Sequence, residues 1–288
     1  MSEEFLINFT AQETRVALML QGAVQELHIE RSASCGIVGN IYLGRVVRVL
    51  PGMQSAFFDI GLERTAFLHV ADIWEERPVN GNGNSGNHGG NGIRPIERIL
   101  SEGQNLLVQV LKDPLGSKGA RLTTQMSIAG RLLVFLPQES HIGISQRIEG
   151  ESEREQLRAR IQGLLRPGET GGFIARTMAE SAGDVELDSD ITYLRRLWAE
   201  ILNRAKNAKA PFLLHHDLDL AQRVLRDLVT PETTRVAIDS RENFQKLSAF
   251  AHEYMPQVAG LLEHYTGERP LFDLHGVEDE IQKALARR

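Results

Sequence analysis

The feature that most constrains this fold is a run of short β-rich segments, separated by glycine and proline, between Asn40 and Leu122. Apolar or alternating segments of strand length are expected at Ile41–Val49, Ser55–Asp59, Arg64–Leu68 and Leu106–Leu111. Strands this short and this closely spaced favour a small barrel of the OB type.

A short meander precedes this block. Strands are expected at Phe5–Phe9, Thr14–Leu20 and Val24–Glu30, and Gln21-Gly22 supplies a tight turn between the last two. This meander has too few strands to fold alone, so we expect it to join the C-terminal part of the chain in one discontinuous domain.

The pattern changes after Leu122. Strands are expected at Leu132–Leu136 and Phe173–Arg176, and helical spacing appears around Leu157 and Ile191. The C-terminal part then alternates between a helix at Asp217–Val229, a strand at Arg235–Ile238 and a helix at Glu242–Tyr254. These segments predict a separate α/β unit directly after the barrel in sequence, followed by a C-terminal α/β layer.

Charge and cysteine content narrow the class of protein. The net charge of −6 argues against a protein that coats nucleic acid over its whole surface, so any RNA should bind to local patches. The single cysteine, Cys35, excludes an internal disulfide framework. Because no signal-peptide-like or membrane-spanning apolar stretch occurs, we expect a cytoplasmic protein with no membrane partner.

Five strings resemble the bacterial ribonuclease E/G family. They are GIVGNIYLGRVVRVLPGMQSAFFDIG from Gly36, LKDPLGSKGARLTT from Leu111, HIGISQRIE from His141, GGFIARTMAE from Gly171 and LAQRVLRDL from Leu220. The similarity covers the whole chain apart from an Asn/Gly-rich tract at residues 78–92.

The resemblance implies an α+β multidomain fold, in which a discontinuous RNase H-like α/β domain contains an inserted S1-type OB β-barrel and an inserted α/β 5′-sensor domain. The implied boundaries are 1–38 and 212–280 for the RNase H-like domain, 39–124 for the barrel with a disordered loop at 78–93, 125–211 for the 5′-sensor domain, and 281–288 for the start of a linker.

For function, the resemblance implies a single-strand-specific, Mg²⁺-dependent endoribonuclease of rRNA processing and mRNA decay. Its implied partner is single-stranded RNA with a 5′-monophosphate. In the family, the carboxylates that hold Mg²⁺ and a Zn²⁺ site that joins subunits follow the last helix of this sequence. Because metal-assisted hydrolysis needs such carboxylates, we expect these residues alone to be inactive. We expect the full-length protein to be a homo-oligomer and this fragment a monomer or weak dimer.

Phe57 and Phe67 match positions where the family's barrel presents aromatic rings to RNA bases. Stacking on such rings tolerates any base and is worth about 1–3 kcal/mol per base. From spacing alone, either phenylalanine could instead fill the barrel core. Phe58, one residue out of phase with Phe57, should face the opposite side of the strand.

Basic residues near the end of the barrel segment are candidate phosphate contacts. Lys118 lies beside Gly119, where backbone can approach a ligand closely, and Lys112 and Arg121 could extend the same patch. Taken alone, Lys112 and Arg121 are more simply explained as solvated surface charges. Arg147 matches a site where ribonuclease E has two arginines, so one cation is missing here.

Arg176 and Thr177 match the family's pocket for a 5′-monophosphate. A guanidinium fork suits two phosphate oxygens and a hydroxyl suits a third. Gly130 and Val134 match residues that line the same pocket, although Val134 could equally be a core residue. Without the family, Arg176 would be an ordinary arginine at a strand end.

Two further groups have structural explanations. His215-His216-Asp217 could suggest a metal site, but adjacent histidines on a strand face opposite sides, and a helix cap at Asp217 explains the group more simply. Asp239, at a predicted strand end, is one acid rather than a two-metal site.

Two other classes of function stay open from sequence. One is a stand-alone RNA-binding regulatory module without nuclease activity, and the other is a nucleotide-dependent switch. The absence of a GxxxxGK[ST] string counts against the switch.

Overall fold

The computed structural model describes residues 3–74, 94–166, 168 and 170–286. The tract predicted to be a disordered loop, 78–93, lies outside these residues, as do the last two residues of the predicted linker. In the part of the chain that is described, no helix is both long and apolar enough to cross a membrane.

The described residues combine β-strands and α-helices throughout. The strands are β1 (Glu3–Phe9), β2 (Glu13–Leu20), β3 (Ala23–Arg31), β4 (Ile41–Leu50), β5 (Ser55–Asp59), β6 (Ala66–His69), β7 (Asn105–Lys112), β8 (Arg121–Thr123), β9 (Ile128–Ala129), β10 (Leu133–Leu136), β11 (Ile142–Ile144), β12 (Gly172–Ala175), β13 (Phe212–His215), β14 (Thr233–Ile238) and β15 (Leu262–His264). The helices are α1 (Glu151–Leu164), α2 (Asp184–Asn207), α3 (Leu220–Asp227), α4 (Arg241–Tyr254), α5 (Pro256–Ala259), α6 (Leu271–Leu274) and α7 (Val277–Leu285). The predicted α+β class is confirmed.

Backbone contacts divide the chain into two compact units, and the first comprises Met1–Gly36 and Leu218–Arg288. Its sheet has the strand order β15-β14-β1-β2-β3, with parallel pairing from β15 to β1 and antiparallel pairing from β1 to β3. Phe5 and Ile7 pack with residues of α3, α4 and α5, whereas Leu6 packs with residues of α6 and α7. Both faces of β1 are therefore covered, which explains its continuous apolar run.

The hairpin between β2 and β3 closes through Gln21-Gly22. Both residues have positive φ, 52° and 79°. Two consecutive left-handed residues are what a two-residue type I′ turn requires. The predicted turn is confirmed.

The second unit, Ile37–Asp217, contains a closed barrel. Its five strands pair in the order β4-β5-β6-β8-β7, and β7 pairs with β4 to close the ring. The interior is apolar, with one buried side chain from each strand in Val46, Phe58, Leu68, Leu122 and Val108. A five-stranded closed barrel is consistent with the predicted OB type.

The same unit contains a second sheet with the strand order β11-β12-β10-β9. Phe135 and Phe173 pack against each other with ring centroids 5.0 Å apart, in a cluster that includes residues of α1 and α2. The helices expected around Leu157 and Ile191 are confirmed as α1 and α2, and both residues pack in this cluster. The boundaries proposed for individual domains stay predictions.

Two local predictions are wrong. The strand expected at Arg64–Leu68 is Ala66–His69, because the chain bends after Gly61, whose φ is 84°. Helix α3 is capped by Asp219, whose carboxylate accepts the Gln222 N–H at 2.9 Å. The predicted cap, Asp217, instead donates its backbone N–H to Asn40 at 2.8 Å, a contact that no local pattern reveals.

Candidate functional site

Two aromatic rings lie together on the outside of the barrel. Phe57 of β5 is directly opposite Phe67 of β6, and their ring centroids are 6.1 Å apart in an edge-to-face arrangement. Both side chains are half-buried, whereas Phe58 is fully buried on the other face of β5. The barrel therefore presents two adjacent rings that its core does not use.

Strand register extends this pair into a row that crosses all five barrel strands. Arg48 of β4 is opposite Phe57, Phe67 is opposite Arg121 of β8, and Arg121 is opposite Lys112 of β7. We call these residues, Arg48, Phe57, Phe67, Arg121 and Lys112, the barrel row. It places the two rings between cationic side chains, and Arg48 is a member that the sequence analysis missed.

Arg121 is already engaged within the protein. Its Nε donates to Asp72 Oδ2 at 2.8 Å and its Nη2 to Asp72 Oδ1 at 3.1 Å. The hydrogen bond and charge of Asp72 raise the pKa of Arg121. Its charge is largely offset by Asp72, which leaves Arg48 and Lys112, both exposed, as the stronger cations of the barrel row.

His69 adds a third ring beside the row. It lies two residues after Phe67, with ring centroids 6.5 Å apart. Its Nδ1 accepts the Ala71 N–H at 3.1 Å, so the neutral ring carries its proton on Nε2. The sequence analysis did not single out this histidine.

Lys118 occupies a separate turn. Its backbone N–H and C=O pair with those of Leu115 at 3.0 and 3.1 Å, and its side chain is exposed. The glycine at the neighbouring position 119 is explained by packing, because a Cβ there would lie 1.9 Å from the carbonyl oxygen of Thr65. A phosphate contact at Lys118 stays a prediction.

Arg176 follows β12 directly, at the end of the second sheet. Its backbone N–H donates to the carbonyl of Leu132 at 2.8 Å, and its Nη1 donates to the carbonyl of Gly130 at 2.7 Å. Thr177 begins a single 3-10 turn and is exposed. Arg176 and Gly130, both predicted pocket residues, are therefore brought into direct contact.

Asp190 of α2, which the sequence analysis did not predict, holds the backbone next to Gly130 and Arg176 in place. Its carboxylate accepts the backbone N–H groups of Arg131, Leu132 and Leu133 at 3.2, 3.0 and 2.8 Å. Loss of solvent raises the pKa of Asp190, although the three N–H groups and the charge of Arg176 oppose that effect. We call Gly130, Arg176, Thr177 and Asp190 the Arg176 corner.

The Asp190 carboxylate leaves no room for a side chain at residue 130, which explains the glycine there. A Cβ at residue 130 would lie 2.6 Å from Asp190 Oδ2 and 2.8 Å from Oδ1. The carboxylate cannot move aside freely, because it holds three N–H groups. Gly130→Ala is therefore expected to lower the free energy of unfolding by about 1–3 kcal/mol, the usual cost of overpacking.

Urea denaturation of Gly130→Ala checks this expectation, and Gly163→Ala is a matched control. Gly163 lies in α1, where an added Cβ meets nothing within 4 Å. Equal stability of the two variants would contradict the close contact between Gly130 and Asp190.

Val134 and Arg147, the other two predicted RNA-binding residues of this region, lie outside the Arg176 corner. Val134 is half-buried on β10, paired with Ile174 and Ala129, on the side of the strand opposite the fully buried Leu133. Arg147 is exposed, and its backbone N–H donates to Ser145 Oγ at 3.3 Å. Roles for both in RNA binding stay predictions.

The possible metal ligands do not assemble. Among the described residues, no group of three or more His, Cys, Asp or Glu side chains could hold a metal ion. Burial lowers the pKa of His215. Asp239 accepts the Asn8 side-chain amide at 2.5 Å and the Phe9 N–H at 3.0 Å, so it joins two strands of the sheet.

Comparison with known proteins identifies the family. A model described as the ribonuclease E/G family matches residues 127–288. The chain belongs to this family. Ribonuclease G of Escherichia coli strain K12 is 50% identical over 288 residues, which are 100% of this chain and 58% of the relative.

Other relatives of the ribonuclease E/G family also align with nearly the whole of this chain. Ribonuclease G of Haemophilus influenzae is 46% identical over 285 residues, which are 99% of this chain and 57% of the relative. Ribonuclease E of the same organism is 35% identical over 287 residues, which are 99% of this chain and 30% of the relative. The chain thus spans a little under three fifths of the length of these ribonuclease G relatives.

Proposed function

We propose that this chain is the RNA-binding and 5′-monophosphate-sensing region of a single-strand-specific, Mg²⁺-dependent endoribonuclease that acts in rRNA processing and mRNA decay. The observation that carries the proposal is the half-buried, outward-facing Phe57–Phe67 pair between the cations of the barrel row. Relatives named ribonuclease G and ribonuclease E support the nuclease assignment.

The barrel row suits single-stranded RNA for two physical reasons. Unpaired bases can stack on the rings of Phe57, Phe67 and His69, whereas bases in a duplex are stacked on one another. The cations at either end of the row can meet the phosphates of the same strand. Binding at a local patch is compatible with a chain whose net charge is −6.

The Arg176 corner is proposed as the 5′-monophosphate site of a 5′-sensor domain. The guanidinium of Arg176 can bind two phosphate oxygens, and the exposed Thr177 hydroxyl can donate to a third. A tethered 5′ end would raise the effective concentration of downstream RNA at the catalytic site. In the same proposal, the first unit is the RNase H-like domain, with a structural role.

The metal chemistry is proposed for the full-length protein alone. When bound, Mg²⁺ would polarise the scissile phosphate and Zn²⁺ would join subunits of a homo-oligomer. The described residues form no cluster that fits either ion, so no step is assigned to them here. The alternative proposal is a stand-alone RNA-binding regulatory module without nuclease activity. Under either proposal these residues alone bind RNA without cleaving it, as a monomer or weak dimer.

Phe67→Ala tests the RNA-binding proposal. Loss of one stacking ring is expected to weaken binding of a short A/U-rich single-stranded RNA with a 5′-hydroxyl by about fivefold or more. Fluorescence anisotropy with labelled RNA measures the change. Phe212→Ala is the matched control, because Phe212 is 48% exposed in the same unit but lies outside the barrel row. Equal affinities for Phe67→Ala and the control would remove the barrel row from the proposal.

A further inference from the structure

A β-bulge controls which residue of β4 faces the aromatic pair. Val46 is opposite Phe58 and Arg48 is opposite Phe57, so β4 uses one more residue than β5 over this interval. The extra residue is Val47, which is 48% exposed. A bulge of this kind reverses the inward and outward alternation of the residues that follow it.

The alternation on either side shows what the bulge changes. Before it, Val46 points into the barrel core, and after it Val49 packs against the same core. In a regular strand Val47 would face outward opposite Phe57 and Arg48 would face the core. The bulge therefore replaces an aliphatic side chain with a guanidinium beside the outward-facing ring of Phe57.

Arg48 has the properties of a phosphate contact. Its side chain is exposed, and no ion pair or hydrogen bond holds it within the described part of the chain. Arg121, further along the row, is paired with Asp72 and Arg48 is not. A cation next to a stacking ring can meet the phosphate that links successive bases, and an arginine offers a fork for two phosphate oxygens.

We infer that Arg48 binds the phosphate backbone of single-stranded RNA next to the base stacked on Phe57, and that the bulge at Val47 serves to present it. The inference rests on the proposed RNA binding by the barrel row. It adds a residue and defines one end of the path that RNA follows across the barrel.

Salt dependence separates a phosphate contact from a structural role. Affinity for the 5′-hydroxyl RNA is measured at several salt concentrations with wild type, Arg48→Ala, Arg48→Lys and Arg158→Ala. Arg48→Ala is expected to weaken binding about three- to tenfold and to reduce the slope of log affinity against log salt by about 0.7, the value for one phosphate of a single strand. Arg48→Lys should keep the slope because it keeps the charge.

The variants Arg158→Ala and Phe67→Ala separate a failure of the inference about Arg48 from a failure of the proposed RNA binding by the barrel row. Arg158 is an exposed arginine of α1 in the same unit, so its removal reports the effect of net charge alone. If Arg48→Ala matches Arg158→Ala in slope while Phe67→Ala weakens binding, Arg48 is not a phosphate contact and the inference is overturned. If Phe67→Ala also leaves binding unchanged, the barrel row is removed from the proposed function and the inference falls with it.

Discussion

Arg176→Ala is expected to abolish the preference for RNA with a 5′-monophosphate over the same RNA with a 5′-hydroxyl. A charge-assisted bidentate contact is worth about 1.5–3 kcal/mol, so the preference should fall by roughly 10- to 150-fold. Binding of the 5′-hydroxyl RNA should change little, because the barrel row is intact. Anisotropy titrations with both RNAs against wild type and variant give the ratio directly.

The variant Arg176→Lys tests whether the planar guanidinium, and not only its charge, is needed for the preference. It keeps a positive charge but replaces the planar fork with a single ammonium, so most of the preference should be lost. Since Arg176 Nη1 also donates to the carbonyl of Gly130 at 2.7 Å, the thermal unfolding of each variant should be compared with wild type. A wild-type chain that binds both RNAs equally would show that the Arg176 corner does not sense the 5′ end in this part of the protein.

Much of the barrel could be predicted because its longer strands carry a clear local signal. Strands β4, β5 and β7 are rich in apolar and β-branched residues over five or more positions, and all were expected within one residue of their observed ends. Strand β8, Arg121–Thr123, was missed because three residues are too few to establish an alternation. Its partners on β6 and β7 decide that it is a strand.

The barrel row could be predicted only in part, because it depends on strand register. The resemblance pointed to Phe57 and Phe67, and the basic residues near Lys118 suggested Lys112 and Arg121, but each was only a separate candidate. Their arrangement in one row, and the inclusion of Arg48, follow from pairing between strands and from the bulge at Val47. Composition within a single strand does not specify where a bulge lies.

Unlike the barrel row, the structural role of Asp190 could have been predicted from the local sequence. It lies three residues after Leu187 and four before Leu194, and both leucines are fully buried. An acidic residue on the apolar face of a predicted helix needs hydrogen-bond donors, which points to a structural or functional site. What the sequence could not provide is the identity of those donors, which lie 57–59 residues away.

Asp190→Ala is expected to lower the free energy of unfolding by about 3 kcal/mol or more, since three backbone N–H groups lose their acceptor and each costs about 1–3 kcal/mol when left unsatisfied. Urea denaturation measures the loss. Asp188→Ala is the matched control, because Asp188 lies on the same helix with an exposed side chain. Similar stability of the two variants would mean that solvent or a rearranged loop satisfies the N–H groups.

The dependence on pH then separates the charge of Asp190 from its role as an acceptor. Because loss of solvent raises its pKa in the folded state, the folded chain holds the proton more tightly than the unfolded chain. The stability this provides is complete below about pH 4 and is lost as pH rises through the folded-state pKa. Asp190→Asn cannot ionise, and one amide oxygen in place of Oδ2 would keep the N–H bonds of Leu132 and Leu133. The stability of Asp190→Asn relative to wild type should therefore improve from pH 4 to pH 7, and a difference that declines over this range would show that the N–H groups and Arg176 dominate the titration instead.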